Sequence, residues 1–156
     1  MSGVGRCVKS AKRLWSARRG DTLPVLDTQV IFAFNPDDKH HKHSVRVLEE
    51  AKTSGNYYIS EFAVLELILV LRSRGVSSKD VVDILSALEV VMKEYRLRLL
   101  SGLELKDFAD AMMFLSEGVT LFDALIAVSA RKVDGKVVSD DQSFDKLGVT
   151  RIPLSK

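Results

Sequence analysis

Residues 23–28 read LPVLDT: four residues, apolar or proline, that stop at an aspartate followed by a threonine. The run is short and does not alternate apolar with polar, which is the pattern of a strand buried on both faces of a parallel sheet. Asp is a preferred helix N-cap, so Asp27 both ends the strand and starts the next segment. Working outward, TQVIFAF (28–34) begins a helix and Asn35-Pro36-Asp37-Asp38 is a turn. Ser44–Lys52 has Val45, Leu48 and Ala51 at helical spacing, and Tyr57–Ser60 reads as a second strand. Glu61–Arg72 is a helix apolar nearly all round, expected to be buried. Ser77 and Asp80 form a capping box that opens a helix to about Glu94, with Val81, Ile84, Leu85, Leu88, Val91 and Met92 on one face. Tyr95–Leu100 is β-like. Leu105–Leu115 is an amphipathic helix expected to bury Phe108, Ala109, Met112 and Leu115. Thr120 opens a helix over Leu121–Lys132, Lys136–Ser139 is a strand, Phe144–Leu147 a single turn and Thr150–Pro153 a last strand. Short apolar strands alternating with helices predict an α/β fold with a mainly parallel central sheet flanked by helices. In such sheets the functional crevice lies beyond the carboxyl ends of the strands. Asp27 and Asp141 both fall there.

The chain has 156 residues, 46% hydrophobic and 28% charged, as expected for one globular domain. Its longest apolar run, 62–71, contains Glu66 and is too short to span a bilayer. The basic start is not followed by an apolar stretch of the secretory kind. A single cysteine, Cys7, excludes an internal disulfide and a cysteine-based zinc site. These features lead to the expectation of a cytoplasmic protein with no membrane partner. The net charge of +2 is unevenly spread: residues 1–19 carry six basic residues and no acid, against 17 basic and 21 acidic residues in the rest. Residues 1–20 read as a basic, flexible N-terminal arm, a solvated tail whose charge could also hold a nucleic-acid backbone. Residues 21–156 read as the domain.

Acids interrupt or follow apolar segments at Asp27 in LPVLDT, Glu66 in FAVLELILVL (62–71), Asp123 in LFDALIA (121–127) and Asp141 in VVSDDQSF (137–144). Burying an unpaired carboxylate is costly, and a divalent cation in an oxygen cage removes that cost. Each position also has an ordinary explanation. Asp27 serves as an N-cap, Thr120-x-x-Asp123 is a capping box, and Asp140-Asp141 suits a turn. Glu66 could reach water or pair with Arg72 or Arg74. Which of Asp140 and Asp141 points inward is not decided by strand alternation. The conjunction, rather than any one acid, points to metal-assisted phosphate chemistry.

These segments resemble the PIN-domain nucleases, especially the VapC-type toxins of toxin–antitoxin pairs. The resemblance covers about residues 23–153 and is carried by Asp27-Thr28 after the first strand, Glu66 within ISEFAVLELILVL, Asp123 in the D-x-x-x-A pattern, and VVSDDQSF with Ser139, Asp141 and Phe144. It implies a Mg²⁺- or Mn²⁺-dependent ribonuclease in which Asp27, Glu66, Asp123 and Asp141 are catalytic and hold the metal. Thr28, Ser139 and Ser143 would be hydroxyls orienting these ligands or phosphate oxygens. The implied products carry 5′-phosphate and 3′-hydroxyl ends, and the implied substrate is single-stranded or loop RNA. The resemblance also implies a homodimer and a small antitoxin as partner. Two positions depart from the family pattern: Ser139 replaces a Thr, and Ser143 stands where a second Asp or Asn is common, which favours one metal or reduced activity.

A catalytically weak PIN scaffold that binds RNA or protein is the alternative reading. A phosphoacceptor receiver domain ranks below both, because it needs an acidic pair at the first strand and a lysine after the last. His40-His41-x-His43 resembles a metal tract, but its polar setting predicts a solvated loop near the site entrance. Basic residues at 72, 74, 96, 98, 131 and 132 could line an RNA path or be ordinary surface charges. There is no G-x-x-x-x-G-K-[ST] phosphate loop and no nucleophile elbow.

Overall fold

The structure, a computed structural model, describes residues 22–115 and 118–156. The basic arm therefore lies outside the described residues. Five strands form one all-parallel sheet: β1 (Val25–Leu26), β2 (Tyr58–Ser60), β3 (Arg98–Leu100), β4 (Lys136–Val138) and β5 (Thr150–Ile152), in the order β3-β2-β1-β4-β5. The connections are helical: α1 (Thr28–Phe32), α2 (His41–Ser54), α3 (Glu61–Ser73), α4 (Ser78–Glu94), α5 (Leu105–Phe114), α6 (Leu121–Arg131) and a 3₁₀ turn over Gln142–Lys146.

The central strands are short and covered: β1 and β2 are buried throughout, as are Val137 and Val138 of β4, while the edge strands β3 and β5 are partly open. Val25, Leu26, Ile59 and Val137 have no exposed surface. A covered strand needs a helix on each face, and α6 is the most deeply placed of these, with every residue from Asp123 to Ala130 buried. Small side chains at Ala124, Ala127 and Ala130 let α6 lie close to the sheet, and Ser60 Oγ donates to Ser129 Oγ at 3.3 Å across that contact. Strand order changes direction at β1, which pairs with both β2 and β4. The carboxyl ends of β1 and β4 thus meet at the crevice position of a parallel sheet.

Three expectations from the sequence are corrected. First, α3 is not buried all round: Phe62, Ala63 and Leu67 face inward, while Leu65 and Leu69 are 45% and 49% exposed. Secondly, α5 is turned from the face expected by about the 100° of one residue step. Asp107 and Ala111 are buried, and Phe108, Ala109, Met112 and Leu115 point outward. The cause is polar. Asp107 accepts the Glu104 amide at 2.8 Å as a capping box and salt-bridges Lys132 at 2.7 Å, which turns this side of α5 toward α6. The Lys132 ammonium holds the Asp107 carboxyl below the usual carboxylate range. Thirdly, Tyr95 ends α4 rather than starting a strand, and Arg96, at φ 59°, makes the turn into β3.

Candidate active site

Asp27 lies one residue past β1, where its amide donates to Val138 O at 3.2 Å and so locks it beside the end of β4. Its side chain caps α1, with Oδ1 accepting the Thr28 amide at 2.7 Å. Oδ2 accepts the Ser139 hydroxyl at 2.7 Å. The carboxyl is 5% exposed, and burial pushes its pKa from 3.8 up to about 7. The Ser139 and Thr28 donors oppose that rise, and the negative charges of Asp123 and Glu66 add to it.

Glu66 reaches the same edge from the middle of α3, half-buried, and Thr28 Oγ1 donates to its Oε2. Burial raises its pKa, and Asp123 raises it further. The pairing with Arg72 or Arg74 does not form: Arg72 donates to Val76 O at 2.6 Å, and Arg74 lies over the Phe32 ring at 5.3 Å. Asp123 is 8% exposed in the first turn of α6, held by its amide's 3.1 Å bond to Thr120 Oγ1. Burial raises its pKa as well, Asp141 raises it further, and the Ser143 hydroxyl lowers it. Asp141 is exposed and caps the 3₁₀ turn through the Ser143 amide at 2.8 Å, while its own amide donates to Ser139 Oγ at 3.0 Å.

The pair Asp140-Asp141 is therefore resolved. Asp140 turns away from the other acids: its amide donates to Gln29 Oε1 at 3.1 Å, and its Oδ1 accepts the Ser155 amide and hydroxyl, both at 3.0 Å. Burial alone would raise the Asp140 pKa, but the Ser155 donors, the Leu154 backbone and His40 together outweigh it and leave the carboxyl below its ordinary value. Its Oδ2 has no hydrogen bond, and His40 Nδ1 stands 3.8 Å away. The histidine tract is not a freely solvated loop: all three rings are partly buried, and His41 Nδ1 lies 3.0 Å from Ala33 O. Gln29 and Ser155, which hold Asp140 out of the cluster, carried no signal in the sequence.

Asp27, Glu66, Asp123 and Asp141 thus act on one another electrostatically from four separate elements, with Thr28, Ser139 and Ser143 among them. None forms a salt bridge among the described residues. No three of them stand as a ready-made metal cage there either. The basic residues that could line an RNA path are spread over several elements. Arg96 precedes β3 and Arg98 opens it, and Arg131 and Lys132 end α6, which puts them at the amino-terminal edge of the sheet, away from the acids.

The family model described as PIN domain matches residues 25–149. The chain belongs to the PIN domain family. Its fold is also that of solved structures with little sequence in common. FitAcB from Neisseria gonorrhoeae aligns with a TM-score of 0.59 at 20% identity, over 84% of this chain and 97% of that one. VapBC2 from Rickettsia felis, bound to a DNA fragment from its promoter, aligns with a TM-score of 0.57 at 17% identity, over 85% and 98%. FitAB bound to an IR36 DNA fragment aligns with a TM-score of 0.52 at 17% identity, over 85% and 95%. A search of curated proteins gave no match. Within this PIN domain no described helix is long and apolar enough to cross a membrane.

Proposed function

We propose that this PIN domain is a metal-dependent endoribonuclease that hydrolyses RNA phosphodiester bonds, and that it is the toxin of a toxin–antitoxin pair. The observation that carries the reading is the group of raised carboxyls, Asp27, Glu66 and Asp123, joined by Asp141, none of them salt-bridged among the described residues. Acids that repel one another in a partly buried site favour either protons or a hard divalent ion. The donor set fits Mg²⁺ or Mn²⁺: every side chain offered is a carboxylate or hydroxyl, without sulfur or imidazole. The Ser143 Oγ is a buried polar atom beside the Asp123 carboxyl, and a metal-bound water or a phosphate oxygen would add the hydrogen bond its geometry leaves unmade. A bound ion would supply an activated water and offset charge on the phosphate. The chain's own part is to hold and orient. Ser139 positions Asp27 and the Asp141 amide together, and Thr28 fixes the Glu66 carboxylate.

The likeness to VapBC2 and FitAcB supports a small antitoxin partner. A homodimer is supported by apolar side chains that the fold leaves outside. Leu65 and Leu69 on α3, and Leu105, Phe108 and Met112 on α5, are exposed, and the Phe62 and Phe108 rings touch edge-on at 5.8 Å. The proposed location is the cytoplasm.

A second reading, a PIN scaffold with feeble catalysis, is favoured by Ser143 in place of an acid and by the open arrangement of the acids. Cleavage of mixed-sequence, end-labelled RNA in Mg²⁺, Mn²⁺ or EDTA separates the two. Cuts that need the metal and vanish in both Asp27→Asn and Asp141→Asn support the nuclease. Cuts that survive in both variants reject the site, and no cuts despite RNA or partner binding favour the scaffold.

A further inference from the structure

We propose that Gln29 is a positioning residue for Asp141; the inference rests on the metal-dependent reading above, in which Asp141 is one of four acids that hold the ion. The four are not held alike. Asp27 and Asp123 are 5% and 8% exposed, and each is fixed at a helix start, Asp27 by capping α1 and Asp123 by its amide's bond to Thr120 Oγ1. Glu66 is half-buried and accepts the Thr28 hydroxyl. Asp141 is exposed, and its carboxylate accepts the Ser143 amide at 2.8 Å. That bond spans two positions of the chain and ties Asp141 to its own turn rather than to the other acids.

The backbone leading into Asp141 supplies the longer-range tie. The Asp140 amide donates to Gln29 Oε1 at 3.1 Å, across 111 positions of the chain. On the other side, Asp140 Oδ1 accepts the Ser155 amide and hydroxyl, both at 3.0 Å. The residue before Asp141 is thus gripped between α1 and the segment after β5. Three successive residues then serve three acids. Asp27 is one of them, Thr28 holds the Glu66 carboxylate, and Gln29 holds the backbone that carries Asp141. The first turn of a helix exposes N–H groups and not carbonyls, so an acceptor for the Asp140 amide has to come from a side chain. Glutamine offers a neutral one. A glutamate would accept equally but would add a further carboxylate to acids that already raise one another's pKa.

The experiment compares the full chain with Gln29→Met, which keeps length and helix propensity but removes the acceptor, and with Gln29→Glu, which keeps the acceptor. The first readout is taken in EDTA on ¹⁵N-labelled protein. In Gln29→Met the Asp140 amide should exchange with solvent about tenfold faster, the loss of one hydrogen bond. The Ser143 amide resonance should shift as well, because that amide reports the Asp141 carboxylate it bonds. The second readout is Mn²⁺ affinity from the resonance of the free ion. Gln29→Met should weaken it about tenfold, as expected for a residue that orients a ligand from outside, while Gln29→Glu binds at least as well as wild type. A glutamine that only stabilised the fold would lower the melting temperature and leave both the Ser143 resonance and the Mn²⁺ affinity unmoved; that result overturns the inference. So does an Asp140 amide that exchanges at the wild-type rate in Gln29→Met, or an equal loss of Mn²⁺ affinity in both variants. Wild-type protein that binds no Mn²⁺ overturns the metal reading and this inference with it, whereas wild-type affinity that persists in Gln29→Met overturns this inference alone.

Discussion

The Ser139 hydroxyl donates to Asp27 Oδ2 at 2.7 Å and at the same time accepts the Asp141 amide at 3.0 Å. One side chain at the end of β4 thus ties the acid after β1 to the acid of the following turn. Asp27 is buried, so this donor is one of the few forces keeping its charged form accessible. Ser139→Ala should raise the Asp27 pKa further and weaken divalent-ion binding. It should also cost about 1–2 kcal/mol at pH 7.5 for the orphaned polar groups. Ser139→Thr keeps the hydroxyl and should restore both. Urea unfolding and metal titration of the two variants provide the check, and equal behaviour of Ala and Thr would remove the role assigned here.

Asp27 also predicts how the metal-free protein responds to pH. Its pKa is about 7 when folded against 3.8 ordinarily. Between those values the folded state keeps a proton that the unfolded chain has released, so stability falls as pH rises through the window and levels off above it. Glu66 and Asp123 are shifted in the same direction and add to the slope. In EDTA the melting temperature should be higher at pH 5.5 than at pH 8. Asp27→Asn keeps an N-cap side chain and should flatten the profile, stabilising the protein at pH 8 by about 2 kcal/mol. A profile that rises with pH in EDTA would contradict the burial argument.

Added Mg²⁺ or Mn²⁺ should act in the opposite sense. Metal and proton compete for the same oxygens, so the ion should raise the melting temperature more at pH 8 than at pH 5.5. Calorimetric scans at both pH values, with and without the ion, measure this. A shift equal at both, or equal in Asp27→Asn, would place ion binding elsewhere.

Gly55 ends α2 at φ 67°, and a Cβ there would stand 2.8 Å from Arg96 Nη2. Arg96 lies over this turn to donate to Lys52 O at 3.3 Å. Gly55→Ala should destabilise by about 1–2 kcal/mol from the left-handed backbone. Displacing Arg96 adds to that. Gly102, at φ 95° with open space around it, provides the comparison in which only the backbone cost remains. Thermal melts should rank Gly55→Ala below Gly102→Ala.

The outward stripe of α3 and α5 predicts the oligomeric state. Leu69 and Met112 are 49% and 46% exposed, so a charge at either is tolerated by the monomer fold. Met112→Glu or Leu69→Glu should convert a dimer to monomers in sedimentation while leaving the melting temperature of the isolated subunit nearly unchanged. A wild-type protein that is already monomeric at micromolar concentration would rule out this surface as the dimer contact.

The order of strands and helices, and the position of Asp27 at a strand end, were legible in the sequence because they rest on local signals. Strand-length apolar runs, caps such as Ser77 and Thr120, and turn residues act over a few positions. Local periodicity could show that Phe108, Met112 and Leu115 share a face, but not whether that face meets the core. That depended on Asp107 finding Lys132 25 positions later, since an ion pair with one partly buried partner fixes the rotation of a helix. The separation of Asp140 from Asp141 was likewise beyond the sequence, because it depends on Gln29 and Ser155, which are 111 positions before and 15 after Asp140.

The sequence by itself determined an α/β chain with acids at the carboxyl ends of its strands, since burial period, capping and turn chemistry are properties of neighbouring residues. Only the tertiary structure decided which acids share one electrostatic site. Charge interaction falls with distance through space and is indifferent to distance along the chain.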